Sequence, residues 1–155
     1  MMKIITTNNL DDHQKKVIYD LWNAEYPKNL THSNPIDFEN YLNALTNQHH
    51  NLLIYKNGII KGWYFDFDRN NEKWFAMIIA SEIHGKGFGT MLLNEAKKRE
   101  SVLNGWVIDK TNYLKQNGDG YKSPIYFYIK NGFHKLPKIR LELAHLSAVK
   151  IKWKK

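Results

Sequence analysis

The sequence predicts a single α/β domain built on a mixed, mostly antiparallel sheet with a central parallel pair and helices on both faces. Three observations carry that prediction. The apolar patterning gives the element order β-α-α-β-β-β-α-β-α-β-β. A three-strand antiparallel meander sits at its centre. A strand–turn–helix–strand unit around residues 74–109 follows, and its right-handed crossover makes the two strands parallel. The chain has 155 residues, 43% of them hydrophobic and 14% aromatic. One domain over residues 1–155, with a real core, accommodates that length.

The elements follow in order. Lys3-Ile4-Ile5-Thr6 reads as an opening strand. Leu10, Val17, Ile18, Leu21 and Trp22 share one face of a helix that runs to about Glu25. Asn34, Pro35 and Asp37 form a helix start, with Pro at the first helical position, and Phe38, Tyr41, Leu42 and Leu45 supply the buried stripe. Leu52 to Lys56, Ile59 to about Asp68 and Trp74 to Ala80 are the meander strands, joined by turns at Asn57-Gly58 and at Arg69 to Glu72. A helix follows Gly89 and ends near Glu100. Trp106 to Asp109 reads as the next strand, Thr111 to Lys122 as a polar loop, and Ser123-Pro124 as the start of a short helix closed by Gly132. Leu141 to Leu143 and Val149 to Trp153 complete the sheet.

Composition narrows the chemistry. The absence of cysteine excludes disulfides, thiolate metal sites and a cysteine nucleophile. His49, His50, His84, His134 and His145 show no metal-ligand spacing, so no metal site is expected. The N-terminus lacks the apolar stretch of a secretory signal. The longest apolar run, Trp74 to Ala80, is far shorter than the ~20 residues that span a bilayer. A soluble, cytoplasmic protein without a membrane partner is therefore expected. The formal net charge of +8 favours anionic partners, but no nucleic-acid recognition motif or basic–aromatic cluster accompanies it. Trp22, Trp63 and Trp74 lie on apolar periodicities and are assigned to the core. The segment Trp63-Tyr64-Phe65-Asp66-Phe67-Asp68 reads either as a cation-binding wall or as one core face and one edge face.

The informative segment is Ile83-His84-Gly85-Lys86-Gly87-Phe88-Gly89-Thr90, between an apolar strand and an amphipathic helix. A glycine-rich turn at a helix start presents unpaired N–H groups and the positive end of the helix dipole, a setting suited to a diphosphate. Lys86 adds a point charge. The P-loop pattern fails, because Gly85-Lys86 is followed by Gly87 rather than Ser or Thr. The dinucleotide fingerprint fails as well, because its last glycine position holds Thr90.

The pattern that fits is that of the GNAT superfamily of N-acetyltransferases, which the chain resembles. The family's loop reads Gln/Arg-x-x-Gly-x-Gly/Ala, and residues 84–89 match both glycine positions, with His84 standing at the first. Phe127-Tyr128-Ile129-Lys130-Asn131-Gly132-Phe133 resembles the family's Tyr-x-x-x-Gly-Phe segment. The element order matches too, so the resemblance covers almost the whole chain.

The resemblance implies an acetyl-CoA-dependent N-acetyltransferase with acetyl-CoA and a primary amine as its partners. Coenzyme A would enter between two parting parallel strands. Its pantetheine arm would pair with Met77, Ile78 and Ile79, and its diphosphate would rest on His84, Gly85, Lys86, Gly87, Phe88, Gly89 and Thr90. The amine would attack the thioester directly, Tyr128 would assist the departing sulfur, and Asn112 would contact the pantetheine or its phosphate. An ammonium must lose a proton before it attacks. Glu82 is the first candidate base, Asp109 the next, with Asp66 and Asp68 further back. The segment Tyr113 to Lys122 stands as an insertion whose Tyr113 and Tyr121 are candidates for acceptor contacts. The family resemblance allows a homodimer. The alternative reading is a catalytically inactive acyl-CoA-binding module.

Overall fold

A computed structural model describes all residues, 1–155. Its sheet has seven strands in the order β1-β2-β3-β4-β5-β7-β6. They are β1 (Met2–Thr7), β2 (Thr46–Tyr55), β3 (Ile59–Arg69), β4 (Glu72–Ile79), β5 (Val102–Val107), β6 (His134–Leu143) and β7 (Leu146–Lys154). Every pairing is antiparallel except that of β4 with β5. Helices α1 (Asp12–Glu25) and α2 (Pro35–Asn43) cover one face. Helices α3 (Phe88–Arg99) and α4 (Ile125–Lys130) cover the other. This is the predicted mixed α/β architecture.

Local chemistry sets the element ends. Asp11 accepts the Gln14 N–H at 2.7 Å while the Gln14 side chain accepts the Asp11 N–H at 2.9 Å, a reciprocal cap that starts α1. Asn34 caps α2 by accepting the Asp37 N–H, and Pro35 occupies the first turn. Asn70 and Asn71, with φ of 52° and 62°, form the two-residue turn between Arg69 and Glu72.

Three strands differ most from the sequence expectation, while β7 begins three residues earlier than expected, at Leu146. β2 begins at Thr46 rather than Leu52, because the polar stretch Thr46–Asn51 pairs with β3 and sends His50 and Asn51 into the interior. β5 spans Val102–Val107 rather than Trp106–Asp109. Asn104-Gly105 lies mid-strand, where the Asn104 amide bonds across to β4 and Gly105 makes room for the Phe75 ring. β6 begins at His134 rather than Leu141. It carries Pro137 on an edge strand whose register breaks between Leu136 and Arg140, a position where a missing N–H is tolerated.

Two cores flank the sheet. Under α3 and α4 lie Leu53, Tyr64, Phe75, Leu92, Leu93, Tyr128 and Phe133. Under α1 and α2 lie Trp22, Phe38, Trp63, Phe65, Phe67 and Trp74. The β3 aromatics are thus core on both faces, which decides against the cation-binding wall. A polar chain runs through the second core. The Trp63 indole N–H donates to His50 Nδ1 at 3.0 Å, so the imidazole proton sits on Nε2, and that donates to Gln48 Oε1 at 2.9 Å. The Gln48 amide in turn donates to the carbonyls of Leu42 and Leu45, closing the end of α2.

Burial lowers the His50 pKa to about 4 from its ordinary 6.5. The unfolded chain therefore binds more protons than the folded one between those values, and stability is lost as the pH falls through that window. The expected contribution is about 3 kcal/mol, since each unit of pKa is worth about 1.4 kcal/mol. Urea unfolding followed at pH 7 and pH 4.5 should show the midpoint drop at the lower pH, and the drop should shrink in His50→Leu. A drop of the same size in both proteins would refute this assignment.

Candidate functional site

The parallel pair is joined at one end only. A single register pair, Trp74 with Asn104, links β4 to β5, and the Asn104 side-chain amide donates to the Lys73 carbonyl at 3.0 Å beside it. From Phe75 onward β4 has no registered partner on its β5 side, although β3 pairs along its whole length. The strands therefore part toward the end of β4. Met77 and Ile79 line the α3 side of that stretch and Ile78 the α1 side. Main-chain groups there are free to pair with an extended ligand.

The glycine turn lies where β4 ends. Residues Ser81–Ile83 form one 3-10 turn, and α3 starts at Phe88. Gly85 and Gly87 have φ of 75° and 86°, in the left-handed region, and open space surrounds the position of a β-carbon on either. No side chain caps α3. Met91 is the first residue to bond back into the helix, to the Gly87 carbonyl. The amides of Phe88, Gly89 and Thr90 therefore point out of the helix end as anion donors. Lys86 is exposed at the tip.

Two loop residues have structural parts that the sequence did not reveal. The His84 imidazole bonds to the Ile79 carbonyl at 2.7 Å, tying the turn back to the end of β4. Gly89 lies against Phe127 of α4: a β-carbon on it would stand 2.8 Å from the ring tip. Its missing side chain thus serves the packing of α3 on α4.

Tyr128 of α4 is 6% exposed and packs edge-on against Phe75 and Phe133. Burial pushes its phenol pKa upward, with a further contribution from Tyr121. Tyr26, at the end of α1, has its pKa raised by burial and then by Tyr121, Tyr128 and Tyr41. Tyr26 and Tyr41 pack with the α1–α2 core, whereas Tyr128 belongs to the opposite face.

The segment between β5 and α4 forms a small hairpin. Leu114 bridges Gly120, and the Tyr121 N–H donates to the Tyr113 carbonyl at 2.9 Å. The hairpin is fastened to the chain after α1, where Lys115 bridges Pro27 and the Lys28 N–H donates to the Leu114 carbonyl. Glu25 reinforces the joint. Its carboxylate accepts from Lys115 at 3.1 Å and from the Ser81 N–H and hydroxyl at 2.9 and 3.1 Å. Glu25 and Tyr26 were not singled out in the sequence, since nothing local ties the end of α1 to residue 81 or 115, and Tyr41 was read there only as part of the buried stripe of α2. Asn112 is exposed beside this hairpin and makes no side-chain hydrogen bond.

The carboxylates considered as bases are all engaged. Glu82 is exposed and bonds to Lys61 at 2.5 Å, which lowers its pKa. Asp109 is held by both Arg140 guanidinium nitrogens at 3.0 Å, and that pair lowers its pKa. Asp66 is fully buried and bonds to Arg99 and Tyr64 at the opposite end of α3 from the glycine turn, ~18 Å away along the helix. Asp68 is exposed and paired with Lys73. Donor atoms of His49, Asp66 and Glu100 lie within 4.8 Å of one another, but Arg99 bonds to both carboxylates and already provides their cation. No helix is long and apolar enough to cross a membrane.

Residues 47–135 match the model of the acetyltransferase (GNAT) domain. The chain belongs to the GNAT acetyltransferase family. Solved structures agree on the fold. An aminoglycoside 6'-N-acetyltransferase complexed with coenzyme A superposes with a TM-score of 0.72 at 13% identity, over 98% of this chain and 96% of that one. A GNAT-family acetyltransferase from Staphylococcus aureus Mu50 gives 0.70 at 15%, over 99% of each. A spermidine N-acetyltransferase from Vibrio cholerae, in complex with CoA and spermine, gives 0.69 at 16%, over 97% and 95%. No curated protein matches the sequence.

Two substitutions test the loop in this GNAT chain. Gly87→Ala forces a side chain into left-handed backbone and should cost about 1–2 kcal/mol of stability. Gly89→Ala must displace the Phe127 ring and should cost about 1–3 kcal/mol. Urea denaturation measures both, and an unchanged midpoint for either variant contradicts the corresponding role.

Proposed function

We propose that the protein transfers the acetyl group of acetyl-CoA to a primary amine by direct attack on the thioester. The observation that carries this reading is the union of two features: a parallel strand pair joined only at Trp74 and Asn104, and an uncapped helix with a left-handed glycine turn at the open end. The pantetheine arm would run along Met77, Ile78 and Ile79. The diphosphate would receive the amides between Gly85 and Thr90, with Lys86 as a nearby charge and His84 bracing the turn. Asn112, exposed beyond β5, is a candidate contact for the emerging arm. The CoA complexes of structural neighbours support the same use of this fold.

Tyr128 would hydrogen-bond the departing sulfur. Its raised pKa keeps the phenol protonated at neutral pH, as a donor requires. For Glu82, the bond to Lys61 supports an ionised residue that steadies the loop entrance. The structural neighbours named for aminoglycoside and spermidine acetylation support an amine as the acceptor.

Calorimetry with acetyl-CoA and thiol release with a panel of primary amines test the proposal. Binding without turnover of any amine would favour an acyl-CoA-binding module, and no binding at millimolar acetyl-CoA would remove the reading. In an active enzyme, Tyr128→Phe should lower kcat about 10- to 100-fold while leaving the KM for acetyl-CoA nearly unchanged. An equal kcat would exclude Tyr128 from the chemistry.

A further inference from the structure

The two strands that part, β4 and β5, lead respectively into the glycine turn and into the hairpin of residues 113–121. No main-chain hydrogen bond joins those two segments. One side chain does. Glu25, the last residue of α1, accepts the Ser81 N–H at 2.9 Å and the Ser81 hydroxyl at 3.1 Å on Oε2. Its Oε1 accepts the Lys115 ammonium at 3.1 Å. No other side chain bonds to both segments: Glu82 turns to Lys61, His84 to the Ile79 carbonyl, and the Tyr113 hydroxyl to the Ser147 N–H.

Both arms of this clasp are firm. Ser81 opens the 3-10 turn ahead of the glycines, and no side chain of that turn caps it. Glu25 supplies the acceptor that its first N–H lacks. Beyond Ser81, Ile83 is buried in the α3–α4 core and His84 is tied to β4, so a shift of Ser81 passes on to Gly85 rather than being absorbed. On the other arm, the Glu25 and Lys115 side chains are only 11% and 15% exposed. Removing one partner of so sheltered a pair leaves the other charge uncompensated. The post that carries the carboxylate is fixed as well, because Trp22, one turn earlier in α1, donates its indole N–H to the Leu30 carbonyl at 2.8 Å.

We infer that Glu25 is a positioning residue that links coenzyme binding at the glycine turn to the order of the β5–α4 hairpin. This rests on the coenzyme reading above and goes beyond it. A diphosphate seated on the turn fixes Ser81, a fixed Ser81 holds the Glu25 carboxylate in place, and the carboxylate holds Lys115 and with it the hairpin. Linkage makes the effect reciprocal: whatever loosens the hairpin arm weakens coenzyme binding by the same factor. Lys115 thus acts on a ligand through Glu25 and Ser81.

Hydrogen exchange and calorimetry with coenzyme A, which does not turn over alone, test the link. In the wild type, saturating coenzyme A should slow exchange about fivefold or more at the hydrogen-bonded hairpin amides of Lys115, Gly118 and Tyr121, as well as at residues 85–90. Glu25→Gln keeps an oxygen for Ser81 but turns a donor toward Lys115, and Lys115→Met removes the ammonium. In both variants saturating coenzyme A should still protect residues 85–90 while the hairpin protection is lost, and its Kd should rise about fivefold. The double variant should match the single ones rather than multiply them, since both cut the same arm. Glu25→Gln raises the net positive charge and Lys115→Met lowers it, so weaker binding in both excludes a simple charge effect on an anionic ligand. Lys115→Arg restores the pair and should restore the hairpin protection. Protection of the turn without the hairpin in the wild type, hairpin protection that survives in both variants, or a Kd unchanged in both overturns the link and leaves the coenzyme reading standing. If coenzyme A does not bind the wild type, both fall.

Discussion

Everything functional in this fold depends on two neighbouring strands being held together at one end and apart at the other. The Asn104 amide on the Lys73 carbonyl and the single Trp74–Asn104 pair set the hinge of that wedge. Gly105 lets the Phe75 ring lie against β5 just past it. β5 is satisfied along its other edge by β7, and β4 by β3. Each strand thus keeps one fully paired edge, and the gap leaves the facing edges of β4 and β5 with main-chain groups that an extended ligand can satisfy.

Helix α3 is fixed by chemically opposite ends. Its last turn carries Lys97, Lys98 and Arg99, which suit the negative end of the helix dipole, and Arg99 reaches the fully buried Asp66 at 2.6 Å. Its first turn has no cap and no acidic residue. The helix is anchored where it is not used and left electrostatically open where an anion would dock. Asp66 therefore belongs to the scaffold, although its place on the strand preceding the one that leads into the glycine turn made it a candidate for chemistry.

The fold class, the meander and the glycine turn were legible in the sequence because each has a short-range cause: alternation, turn asparagines, or glycines at a helix start. The strand limits of β2 and β5 were not. His50, Asn51 and Asn104 are polar residues taken into the interior, His50 and Asn104 by partners distant in the chain, and local patterning reads such residues as loop. Tyr128 was legible from a family motif, whereas Glu25 was hidden, since its partners lie 56 and 90 residues away.

The hairpin between β5 and α4 is held to the chain after α1 by the Lys28–Leu114 main-chain bond and the Lys115–Glu25 ion pair, and to β7 by the Ser147 N–H on the Tyr113 hydroxyl. Its tip, Gln116 to Gly120, is exposed and carries none of these ties. Side chains at the tip can therefore be exchanged without loosening the moorings of the segment.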